Sequence, residues 1–424
     1  MKILCLALSA LVLAGCEKTE IAATPAALQP VLSGGNATGT AALPLDVPAA
    51  TEAVSEAEPK REEAEPARPV EMAAYHQQAK AIVSAMDDST LAAQMIITGV
   101  DGNMYLAAGM KKLLQNSPPG AIMLFSYNLD ADKDTIRSFL KDCTEAVAEK
   151  SAAPFLAVDH EGGRVHRFGP GAKRLPSAES YWYRTLAVDW KQALEEVEYH
   201  AFRSGVEIHD LGITMNFAPI AEILNNENMQ FLDTRSYGPN PVFVEAACAA
   251  FIRGMERAGV TCVVKHFPGN AYADPHKALP VLTADRQTLD YMVKPFAGLI
   301  RTMRPAAIMV SHVVVQARDG KHNASLSPLI VNDWLRGELG FTGIAVADDF
   351  SMGAVASSGI QAEDAVIAAL NAGVDMVMAW PSTLVSTHNA ILAAIKSAGR
   401  GRFEEAAERI VVQKIRFGLV NKAQ

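Results

Sequence analysis

The chain has 424 residues, half of them hydrophobic, which is enough for one large domain or two ordinary ones. A net charge of −9, with no basic run, argues against a nucleic-acid-binding role. Past the N-terminus no apolar stretch reaches the roughly 18 residues a membrane span needs.

The N-terminus reads MKILCLALSALVLAGCEKTE. Lys2 gives a positive start, Ile3 to Leu13 an apolar stretch, and small residues precede Cys16, so residues 1–16 read as an export signal rather than part of a fold. Leu13-Ala14-Gly15-Cys16 resembles a bacterial lipobox, whose cysteine is lipidated. The expected location is the cell envelope, with the chain held to a membrane by acyl groups on Cys16. Residues 17–72 are rich in Ala, Pro and Glu and cannot bury enough surface to offset their ordering entropy. They are expected to form a tether spanning on the order of 40 Å. The remaining cysteines, Cys143, Cys248 and Cys262, are too scattered for a disulfide framework or a metal site, and core positions are expected.

From residue 73 to 424 the pattern is that of a folded domain. Short, nearly continuous apolar runs occur at 93–100, 120–125, 154–159, 213–220, 261–267, 306–315, 343–349 and 374–380. Such runs mark parallel strands covered on both faces. Helix-like stretches separate most of them, including 241–259 and 327–340, the second closing on Gly340. Eight strands with helical crossovers predict a (β/α)8 TIM barrel, although a doubly wound open sheet would give a similar pattern.

The ends of the runs favour the barrel. They carry Asp159-His160-Glu161, Lys265-His266, Ser311-His312 and Asp348-Asp349. In a parallel barrel the C-terminal strand ends gather at one mouth, so these groups would line one polar pocket. Asp348 follows the uncharged run GIAVA and is either a helix N-cap or a reacting group. Asp274 and His276, two apart across Pro275, suit a general acid/base pair or a simple loop turn. The stretch DHEGGRVHRF places Arg164 and Arg167 after Asp159, which fits either hydroxyl binding or an internal Asp–Arg ion pair. No third ligand stands near Asp274 and His276 at metal spacing, and no metal is expected.

Six motifs, AVDHEGGRVHRF, DTRSYG, VVKHFPG…DPH…LP, NASLSP, LGFTGIAVADDFSM and AGVDMV, stand in the order found in glycoside hydrolase family 3. The chain resembles this family over about residues 80–418, and most of all its single-domain bacterial β-N-acetylglucosaminidase (β-hexosaminidase) branch. The resemblance implies a TIM barrel, no cofactor, and a retaining reaction on terminal GlcNAc of peptidoglycan-derived or other glycans. It implies Asp348 as nucleophile and His276, assisted by Asp274, as acid/base. Asp159, Arg167, Arg235, Lys265 and His266 match the positions that bind sugar hydroxyls. The loop departs from the family pattern, being shorter by about two residues, with Asn270 where the family has histidine and Pro275 where it has serine. That departure leaves a non-catalytic sugar-binding lipoprotein as the alternative, beside a family 3 glycosidase or phosphorylase of other specificity. A monomer is expected.

Overall fold

The computed structural model describes residues 69–102, 104–149, 151–271, 279–350 and 360–420. The export signal, Cys16, most of the tether, Asp274 and His276 lie outside the described residues. Eight parallel strands form one sheet: β1 Ile96–Thr98, β2 Ala121–Leu124, β3 Phe155–Val158, β4 Met215–Asn216, β5 Thr261–Phe267, β6 Ala307–Val310, β7 Ile344–Ala347 and β8 Val377–Met378. Their order is β8-β1-β2-β3-β4-β5-β6-β7, and a parallel bridge from Val346 to Met376 brings β7 back to β8. The sheet is therefore a TIM-like barrel, not an open doubly wound sheet. All eight expected runs contain a barrel strand.

The apolar runs form strands because they are shielded on both sides. Every residue of β2, β3, β6 and β7 is buried. The helices outside present one apolar stripe inward, as in Trp190–Leu211, which buries Ala193, Val197, Ala201, Ile208 and Leu211. Asp189 caps its start by accepting from the Gln192 amide at 2.8 Å, and Gly212 ends it at φ 108°, a conformation suited to glycine. The expected helix at 241–259 spans Pro241–Arg257. The one at 327–340 forms a π-helix over Leu329–Glu338, and Gly340 follows at φ 75°. Cys143, Cys248 and Cys262 are buried free thiols, and burial pushes Cys143 up to about 12.

Three boundaries differ from the sequence reading. A helix begins at Pro69, four residues inside the stretch assigned to the tether, where proline suits the first helical turn. Ala93 and Gln94 close the helix Asp88–Gln94 instead of opening β1. The run 306–315 breaks after Val310, and Val314–Val315 leave the barrel to pair with Val281–Leu282. Buried Ser311 and His312 make the break, their polar groups bonded to the Gly269 carbonyl and to Ser325.

Candidate active site

The strand ends converge on a cavity of about 230 Å³, the size of one sugar ring rather than a chain. Its walls include Asp159, Arg167, Arg235, Lys265, His266 and Asp348, drawn from β5 and the connections after β3, β4 and β7. These are all the described residues that the family resemblance implied for the site; of the other strand-end groups, Glu161 and Asp349 also line the cavity, and His160, Ser311 and His312 do not. Phe125 and Trp380 join them.

One half of the cavity is a charge lattice. Lys265 Nζ lies 2.6 Å from Asp159 Oδ1 and 2.7 Å from Glu161 Oε1. Arg235 grips Glu161 with two bonds of 2.8 Å, and Arg167 reaches Asp159 at 3.5 Å. Burial is the largest influence and would raise both carboxyls, but Lys265 with Arg167 for Asp159, and Lys265 with Arg235 for Glu161, together outweigh it, so both are held below their usual range. Burial would lower the Lys265 ammonium, and the two carboxylates hold it above its ordinary value instead. The lattice is therefore fully ionised at neutral pH. Its fixed donors and acceptors suit hydroxyl groups, which need both at once.

The Asp159–Arg167 contact shows that the ion-pair reading of that stretch and the pocket reading hold together. Arg164 does not join the cavity. It turns outward to Asp233 at 3.3 Å and to the Phe231 carbonyl at 2.9 Å. His160 also turns away. It is wholly buried, bonded through Nε2 to Ser204 at 2.9 Å, and burial pushes it down to about 3.

His266 is held by a residue that the sequence did not single out. Glu222, buried after β4, accepts from His266 Nδ1 at 2.6 Å, from the Asn270 amide at 2.6 Å and from Asn270 Nδ2 at 2.9 Å. It thus ties the end of β5 to the start of the following loop. A proton on Nδ1 faces Glu222, which leaves Nε2 as the other ring nitrogen.

Asp348, one residue past β7, also lines the cavity. Its amide donates to the Val310 carbonyl at 3.2 Å, and its Oδ1 accepts the Asp349 amide at 2.9 Å. Asp349 is fixed in turn, its carboxylate accepting the Trp380 indole N–H at 3.2 Å. His312 Nε2 donates to the Asp349 carbonyl at 3.1 Å, so Nδ1 accepts from the Ser325 hydroxyl at 2.8 Å. That arrangement needs neutral imidazole. Burial lowers the His312 pKa, against the opposing pull of Asp348 and Asp349. Asp348 is thus a carboxylate anchored at a strand end in the same cavity as the Asp159–Lys265–Glu161–Arg235 lattice.

The comparisons agree with this geometry. The model of the glycosyl hydrolase family 3 N-terminal domain matches residues 88–413. A β-hexosaminidase of Stenotrophomonas maltophilia is 32% identical over 299 residues, covering 69% of this chain and 84% of that protein. One of Methylococcus capsulatus is 34% identical over 281 residues, 64% of this chain and 79% of that protein. A family 3 β-N-acetylglucosaminidase structure from a Paenibacillus species superposes with a TM-score of 0.73 at 29% identity, over 79% of this chain and 63% of that one. A β-N-acetylhexosaminidase structure from Beutenbergia cavernae gives 0.69 at 26% identity, over 78% and 98%. With its barrel, its cavity and a match across three quarters of its length, the chain belongs to glycosyl hydrolase family 3.

Proposed function

We propose that the chain is a retaining β-N-acetylhexosaminidase that removes terminal GlcNAc from peptidoglycan-derived glycans. The observation that carries this reading is that Asp348 and the Asp159–Lys265–Glu161–Arg235 lattice line one cavity of one-sugar size. The hexosaminidase relatives supply the sugar.

The lattice holds the hydroxyls of the non-reducing sugar, with Asp159 and Arg167 as acceptor and donor and Lys265 and His266 alongside. An Asp348 oxygen attacks the anomeric carbon while the glycosidic bond breaks, and the leaving oxygen takes a proton from His276. Asp274 holds the His276 ring for that transfer. In the second step His276 takes a proton from water, the water oxygen attacks the same carbon, and the ester to Asp348 breaks. Two inversions return the original anomer. As the acid His276 is an imidazolium, which becomes neutral on giving up its proton and attracts rather than repels an anionic leaving group; that supports muramyl-type acids as the departing sugar.

Cys16 lipidation and a tether over 17–68 would keep the barrel at the envelope, within reach of such fragments. Replacing Cys16 by alanine releases the protein from the membrane fraction if this is right, and leaves its distribution unchanged if not.

Hydrolysis of p-nitrophenyl N-acetyl-β-glucosaminide tests the activity. Wild type turns over, and Asp348→Asn loses at least about 10³-fold in kcat. A wild type as inert as Asp348→Asn, yet still binding GlcNAc, would establish the non-catalytic alternative that the altered loop motivates.

A further inference from the structure

The cavity has a second, apolar wall that the lattice does not use. Trp380 after β8 and Phe125 after β2 both line it, with ring centroids 5.4 Å apart. Tyr127 stacks on Phe125 at 5.6 Å with the rings 19° from parallel, and it is 50% exposed. The three rings run from inside the cavity to open solvent.

The chain makes room for these rings. β1 lies between β8 and β2 in the barrel. Gly99 stands just past its end, and a Cβ on it would come within 2.9 Å of the Trp380 ring. Gly102 lies under Tyr127, where a Cβ would meet the ring at 3.5 Å, an ordinary contact. Asn128, fully buried, locks the arrangement. Its side chain accepts the Phe125 amide at 3.1 Å and donates to the Asp101 carbonyl at 3.2 Å. The rings are thus pre-positioned, with little left to order when a ligand arrives.

A cavity that holds one sugar leaves the next one outside. Trp380 bonds Asp349, so the aromatic wall starts next to the neighbour of Asp348. From there it leads outward along Phe125 to Tyr127. A pyranose presents a flat face of C–H groups that packs well on an aromatic ring, whereas its hydroxyls point sideways to water.

We propose that Phe125 and Tyr127, continued from Trp380, form a stacking subsite for the second sugar, the one that leaves. The subsite selects glycans over glycosides with small leaving groups. This inference rests on the hexosaminidase reading above.

The test compares N,N′-diacetylchitobiose with methyl N-acetyl-β-glucosaminide, which has no second ring. In Tyr127→Ala the ratio of kcat/KM for chitobiose to that for the methyl glycoside falls about five- to tenfold, the scale of one aromatic contact. Tyr127→Phe keeps the ring and restores the ratio to within about twofold of wild type. A ratio in Tyr127→Ala that falls less than about threefold overturns the subsite, as does a Tyr127→Phe ratio as low as that of alanine. Thermal melting of each variant shows whether it is folded. If wild type cleaves neither substrate, the hexosaminidase reading itself has failed, a result distinct from an unchanged ratio in active enzymes.

Discussion

Lys265 places its ammonium 2.7 Å from Glu161, deep in the barrel mouth, where the two side chains are 4% and 5% exposed. Glu161 also holds Arg235, so one carboxylate orders two of the cations that line the cavity. Its role is to position them.

Replacing Glu161 by glutamine leaves both cations short of a partner. The expected cost is about 3 kcal/mol of stability, the usual scale for breaking a buried pair. Activity falls with it, mainly through KM. The pH dependence separates this from a general loss of packing. Asp159 and Glu161 titrate near 4 in the unfolded chain and lower in the folded one. Their contribution is therefore complete above that pH and is lost as pH falls below about 4. Melting curves between pH 3 and pH 7 should show a steeper acid decline in wild type than in Glu161→Gln. Parallel declines would contradict the account.

His276→Ala distinguishes leaving groups. A good leaving group such as p-nitrophenolate departs with little proton assistance in the first step, whereas a sugar alkoxide requires it. The variant should lose about 10²-fold or more on chitobiose and much less on the first step with p-nitrophenyl substrate. Equal losses on both would remove His276 from the role of proton donor.

Lys414 provides a test far from the reaction. It is wholly buried near the start of the strands, with Nζ 2.9 Å from the Gln94 side-chain oxygen, and burial pushes it down to about 7. The unfolded chain binds this proton up to about pH 10.4, so stability rises with pH between the two values. Lys414→Met should be more stable than wild type at pH 7 by about 1–3 kcal/mol, with the gap closing toward pH 10. Denaturant titrations at the two pH values measure it. A gap that does not change with pH would mean that the amine is not titrating there.

The barrel was legible because its strands are covered on both faces and therefore read as unbroken apolar runs. Where a run carries buried polar groups that satisfy one another, as at Ser311 and His312, the pattern hid a break. The site was legible from strand ends, but direction was not. In Asp159-His160-Glu161 the first and third residues reach the cavity and the middle one packs on Ser204. Alternation along a strand could have assigned Glu161 alongside Asp159. Glu222 and Trp380 gave no such signal. Each lies in a connection after a strand and acquires its role from a partner distant in sequence, His266 and Asp349. Charge alone also misleads, since Asp375 in the AGVDMV motif is fully buried before β8 and holds Arg402 and Arg409 at 3.1 and 3.0 Å, away from the cavity.

The most direct test of the account is to trap the sugar on the protein. Incubation with a mechanism-based fluorosugar, followed by proteolysis and peptide mapping, should place the label on Asp348, within the peptide that follows β7. Label on any other side chain, from an enzyme that still turns over, would contradict the assignment of Asp348 as nucleophile.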